Sequence, residues 1–166
     1  MKIPSRDNLY FADLIKWVFA LLIILIIVMR FTGNRVSNAD FKDVQKAVEQ
    51  TVKDDETVRE GDHVMVKRLY GLNPADYDGI MLKYPSTNMN VNEVFLVKLK
   101  DVKQQDQVLE AVEKRLETQK NNFENYGTNQ YSILKKSVTD VQGNYIMFVV
   151  NEKTAPIVKA FEKSLK

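Results

Sequence analysis

The chain has no cysteine, which removes disulfide frameworks, thiol nucleophiles, iron–sulfur ligation, thiolate zinc sites and any lipid-bearing cysteine. It has one histidine, His63, and so no site that needs two imidazoles. An excess of one charge is also lacking. Across 166 residues 24 Lys and Arg face 22 Asp and Glu, a net of +2 that gives no ground for a polyanion partner. The basic residues are dispersed among acids rather than interleaved with aromatics, which disfavours nucleic-acid binding. There is no Walker loop, no G-x-G-x-x-G and no G-x-S-x-G elbow, and no motif calls for a cofactor or a metal. Hydrophobic residues at 45% and charged residues at 28% still allow a packed core, and the length allows one ordinary domain with accessory sequence.

What is present starts with an apolar run. Trp17 to Met29 reads WVFALLIILIIVM, thirteen apolar residues, and Leu14, Ile15 and Phe31 extend it to an eighteen-residue window interrupted only by Lys16 and Arg30. A helix of that length spans roughly 27 Å, close to the hydrocarbon core of a bilayer. Lys16 and Arg30 can snorkel to the headgroups, and Tyr10, Phe11 and Trp17 supply an aromatic belt. The expected organisation is an N-terminal tail over 1–13, a transmembrane signal-anchor helix over 14–31 and a linker over 32–38, followed by a domain over 39–166. Residues 14–31 then have the lipid bilayer as their partner. A cleaved signal peptide is the other reading, since Ser37-Asn38-Ala39 offers small residues at a cleavage site, although Arg30 and Arg35 interrupt the stretch. Positive charge is balanced on the two sides of the span and leaves the orientation undecided.

Residues 36–166 hold 19 Lys and Arg against 20 Asp and Glu, so the domain itself is near neutral. Asn38 can cap a helix from about Ala39 to Val52, and the polar stretch Lys53 to Asp62 reads as a solvated connection. Val64 to Tyr70 stops at Gly71, a common helix end, and Asn73-Pro74 opens a short helix that gives way to Ile80 to Tyr84. Glu93 to Lys100 is β-branched and aromatic and starts apolar on both faces, which suits a central strand. Val102 to about Tyr126 is the longest soluble helix. Tyr131 to Val141 and Asn144 to Val150 flank a hairpin signal at Gln142-Gly143, and a last helix runs from about Ala155 to Leu165. The order α, α, β, β, α, β, β, α predicts an α+β fold: a transmembrane helix, then an antiparallel sheet of about four strands packed with three to four helices, mainly on one face.

The candidate chemistry is sparse. His63 and the serines at 86, 132 and 137 lack any triad signature, and the acids from Asp54 to Asp62 miss the EF-hand spacing. Asn88, Asn90 and Asn92 alternate before Glu93, which in an extended chain aligns three amides that could hold a cation or a sugar; Asn is equally a residue of turns. Tyr126 and Tyr131 bracket a short loop and suit either recognition or packing. Arg115, Gln119 and Asn122 fall at i, i+4 and i+7, on a stripe bordering the apolar face. Arg115 there is either a link between helix and sheet, with Glu93 as its partner, or a clamp for an anionic ligand.

Leu69-Tyr70-Gly71-Leu72-Asn73-Pro74, Asp76, Pro85, Asn88, Glu93, Arg115, Gln119, Phe123, Tyr126, Gln130, Tyr131 and Gly143-Asn144-Tyr145 together resemble a bacterial domain-of-unknown-function family, number four-three-five-eight. The resemblance covers about residues 40 to 165. It implies a cell-envelope protein of the kind found in Gram-positive anaerobes, often anchored as a lipoprotein and without an assigned activity. Lacking cysteine, this chain would use its helix as the anchor, and Thr128 stands where relatives often carry Pro. The resemblance favours an N-terminus inside and the domain outside.

Two function classes follow. The first is a membrane-anchored extracytoplasmic module that binds another envelope protein or a cell-wall component and catalyses nothing, with Asn88, Asn90, Glu93, Arg115, Gln119, Tyr126 and Tyr131 as ligand or interaction candidates. The second is a carboxylate-based envelope hydrolase using Glu93 with another acid brought close by folding.

Overall fold

Residues 94–97 and 145–150 are apolar at consecutive positions and so on both faces, and such strands belong in the middle of a sheet with a layer above and below. The computed structural model describes residue 16 and residues 36–166, of which Val36–Lys166 forms one unit. The expected tail, the expected span over 14–31 apart from Lys16, and most of the expected linker lie outside the described residues. Among the described residues no helix is long and apolar enough to cross a membrane.

Helix α1 (Phe41–Glu49) opens with Asp40, whose carboxylate accepts the Lys42 N–H at 2.8 Å, so the cap is Asp40 and not Asn38. Strand β1 (Val58–Gly61) precedes α2 (His63–Tyr70), which Asp62 caps and Gly71 ends in the left-handed conformation at φ 70°. A 3-10 turn at Pro74–Asp76 leads into β2 (Gly79–Pro85) and β3 (Glu93–Lys98). A second 3-10 turn at Val102–Gln104 runs into α3 (Gln105–Phe123), followed by α4 (Thr128–Lys135), β4 (Val138–Gln142), β5 (Tyr145–Val150) and α5 (Thr154–Ser164).

The five strands lie in the order β1-β2-β3-β5-β4, every neighbouring pair antiparallel. On one face Phe95, Val97, Ile146 and Phe148 meet Val66 and Tyr70 of α2, Val108, Val112 and Phe123 of α3, and Leu134 of α4. On the other, Val94, Leu96, Tyr145 and Met147 meet Val44 and Val48 of α1 and Ile157 and Phe161 of α5. Period-two alternation along β3 therefore feeds two cores.

This corrects the expected architecture in three ways. The sheet has five strands rather than about four, because Val58–Gly61 forms an edge strand inside the supposed solvated connection. Arg59 and Glu60 stay exposed there, so the segment carries no apolar pattern. The described residues form five helices rather than three to four, since Thr128–Lys135 is a helix where a strand from Tyr131 was expected. Helices also cover both faces rather than mainly one, as the two-sided β3 and β5 require.

Candidate functional site

Glu93 begins β3 on the face shared with Phe95 and is fully buried. A carboxylate in that position is costly unless each oxygen finds a donor. Three residues on two helices supply them. Tyr70, the last residue of α2, stacks on Phe95 with ring centroids 3.9 Å apart and donates its hydroxyl to Glu93 Oε1. Arg115 of α3 approaches as a fork, Nε to Oε1 at 3.1 Å and Nη2 to Oε2 at 2.7 Å. One turn further on, Gln119 Nε2 donates to Oε2 at 2.6 Å. The i, i+4 spacing of Arg115 and Gln119 is what delivers both donors to one acceptor.

The electrostatics follow from this geometry. Burial lifts the Tyr70 phenol well above its usual range, and the neighbouring Glu93 charge lifts it further, so Tyr70 remains a donor. Burial acts to lower the Arg115 guanidinium, but its hydrogen bonds and charge contact with Glu93 outweigh that and leave it raised. The guanidinium therefore keeps its charge opposite the buried carboxylate.

Gln119 shows a residual demand. Its nitrogen must face the carboxylate, which fixes the amide orientation and leaves Oε1 buried with no hydrogen-bond partner.

A cleft of about 330 Å³ opens over this pair. It is lined by Arg59, Arg68, Arg115, Asn88, Asn90, Gln119, Asn122 and Thr87, with Met65, Leu69, Tyr84, Pro85, Phe123 and Tyr126 as its apolar surface. Arg59 lies over the Tyr84 ring at 4.6 Å. Tyr126 is 69% exposed, tilted against Phe123 at the cleft wall.

Of the residues singled out from the sequence, the fold brings Asn88, Asn90, Arg115, Gln119 and Tyr126 into this cleft, with Glu93 behind Arg115 rather than in the lining. Tyr131 lies elsewhere. It is half-buried against the core with Lys135 Nζ 5.6 Å from its ring centre. The three asparagines do not align as expected, because residues 88–89 form a turn and the chain is not extended. Asn90 Nδ2 donates to the Thr57 carbonyl and Ser86 Oγ, and Asn92 Nδ2 to Asp55 Oδ2 and Thr57 Oγ1. Asp55 also accepts from Asn151 at 3.1 Å, so this acid organises the connection beside β1. His63 is an exposed first residue of α2. Tyr70, Arg59 and Arg68 were not singled out for a site. Only Tyr70 had a legible signal, an aromatic placed directly before a helix-ending glycine.

Residues 51–151 match the family described as Domain of unknown function (DUF4358), over more than half of the chain. The chain belongs to this family. The DUF4358 segment contains all five strands, α2, α3 and α4, and hence every residue of the Glu93 cluster and of the cleft, while α1 and α5 on the opposite face fall outside it. Among curated proteins and solved structures, none matches the chain.

Proposed function

We propose that this DUF4358 protein is a single-pass membrane protein, held by the apolar window over 14–31, whose domain lies outside the cytoplasm and binds an envelope component in the cleft without transforming it. The supporting observation is the occupancy of Glu93. Both of its oxygens are engaged by Tyr70, Arg115 and Gln119, and no Asp or Glu lines the cleft. A hydrolase of the two-carboxylate kind needs acids that reach the substrate, so this arrangement favours binding over the alternative. The lining of amides, guanidinium groups and aromatic rings is the mixture by which a pocket fixes a ligand's orientation.

The test has two parts. In intact cells external protease should degrade residues beyond Arg35 while the N-terminal fragment resists carbonate washing; recovery of a soluble species beginning at Asp40 would instead establish a cleaved signal peptide. A photo-crosslinking residue at Tyr126, beside the cleft, should capture envelope protein or cell-wall material. The same residue at the exposed Lys159 of α5, on the opposite face, should not. Equal capture from both positions would remove the cleft from the function.

A further inference from the structure

We infer that the cleft over the Glu93–Arg115 pair is a site for an anionic saccharide, a sugar carrying a carboxylate or phosphate group. This deepens the binding reading above and rests on it. The first observation is the distribution of arginine. Residues 36–166 contain three arginines, Arg59, Arg68 and Arg115, and all three line this one cleft. The same residues contain 16 lysines, and not one of them is in the lining; nor is any acid. Lysine would serve equally well for surface solubility. Its exclusion here, beside three guanidinium groups, points to planar recognition of an oxyanion.

The charge at the site is compatible with that role. Glu93 neutralises Arg115, but among the described residues Arg59 and Arg68 make no ion pair, so the cleft keeps a positive balance within a domain of near-neutral charge. Glu93 also orients Arg115. Holding Nε and one edge of Nη2, it leaves three guanidinium hydrogens on the other edge of a side chain that is 14% exposed and lines the cleft.

The second observation is Gln119 Oε1, the acceptor left buried without a donor on a side chain that is 5% exposed and lines the same cleft. An oxyanion cannot satisfy it. A hydroxyl or amide N–H can, so the ligand carries a donor close to its acid group. Asn88, Asn90 and Asn122 add amides able to pair with further hydroxyls, and the exposed Tyr126 ring offers a flat apolar face to the C–H side of a sugar ring. An acid group, several hydroxyls and one apolar face together describe an acidic sugar better than a peptide or a bare ion.

The test uses the full chain in detergent micelles, titrated separately with glucuronic acid, glucose 6-phosphate, methyl glucoside, acetate and inorganic phosphate, with binding followed by ligand-observed NMR. The expected result is that at least one acidic sugar binds about tenfold more tightly than methyl glucoside, acetate or phosphate, and that added salt weakens it. Whether glucuronic acid or glucose 6-phosphate prevails assigns the acid group. Arg59→Gln and Arg68→Gln, both at exposed positions, should each weaken binding about tenfold while leaving the melting temperature unchanged. Equal affinity for methyl glucoside, equal affinity for bare acetate or phosphate, or acidic-sugar binding untouched by both arginine variants would each overturn the inference. If no probe binds at millimolar concentration while the Tyr126 crosslinker still captures envelope material, the saccharide assignment falls and the binding module stands. Failure of both removes both.

Discussion

Arg115 and Glu93 meet through two parallel hydrogen bonds, Nε to Oε1 at 3.1 Å and Nη2 to Oε2 at 2.7 Å, tying the middle of α3 to the first residue of the central strand β3. With Glu93 fully buried, the pair contributes little net stability over an apolar substitute, but breaking it strands a charge.

Arg115→Lys keeps the charge and loses the fork, so one Glu93 oxygen loses its guanidinium donor. The expected cost is about 2 kcal/mol, seen as a melting temperature lower by roughly 5 °C. An unaltered melting curve would show that the fork holds nothing.

Phe95 and Leu96 are adjacent, fully buried and on opposite faces of β3, with Phe95 stacked on Tyr70. Phe95→Asp and Leu96→Asp are each expected to cost at least about 4 kcal/mol in chemical denaturation, because each removes a large apolar side chain and buries an unpaired charge. A small loss in either would mean that the face concerned carries no core.

Both substitutions probe what was legible in the sequence. β3 could be read because a strand with cores on both sides is apolar at consecutive positions, as Val94 to Val97 are. The Arg115, Gln119, Asn122 stripe could be read because helical spacing is local. β1 could not: an edge strand of four residues that exposes Arg59 and Glu60 has no periodicity to read, and its need for Gly61 appears only where Leu82 lies across it, 2.7 Å from where a Cβ would stand. α4 merged with β4 for want of punctuation, since Lys136 and Ser137 separate the apolar residues of a two-turn helix from those of a strand. The cleft is a non-local object. Arg59, Arg68 and Arg115 come from β1, α2 and α3, and no spacing rule relates them.

Alkaline pH should expose the buried tyrosines. Tyr145 is fully buried and donates to the Ala39 carbonyl at 2.9 Å; burial first, then the charges of Asp40 and Asp78, push its phenol from 10.0 up to about 12. The neutral phenol is favoured in the fold, so this contribution is fully present below the unfolded value of 10.0 and is lost as pH rises through about 12. Denaturation measured across that window should show falling stability. Tyr145→Phe should flatten the fall, and an unchanged slope would place the alkaline lability elsewhere.

Gly71 ends α2 at φ 70° with nothing within 4 Å of the position a Cβ would take, so its role is conformational alone. Gly71→Ala is expected to cost about 1 kcal/mol with no change in the packing around Tyr70. A loss several times larger, measured by denaturation, would mean that the chain reversal also fixes the Tyr70 hydroxyl on Glu93.

Whether Glu93 serves as the anchor of Arg115, rather than as an acid free to act in the cleft, is read most directly by a double-mutant cycle with Glu93→Gln, Arg115→Met and the pair combined, each followed by chemical denaturation of the full chain. An anchor gives strong coupling: the two single losses should exceed the loss in the double variant by about 2 kcal/mol or more, since removing both partners strands no charge. Losses that add to within about 0.5 kcal/mol would contradict it, leaving Glu93 independent of Arg115 and the cleft without the buried anion that orients its central arginine.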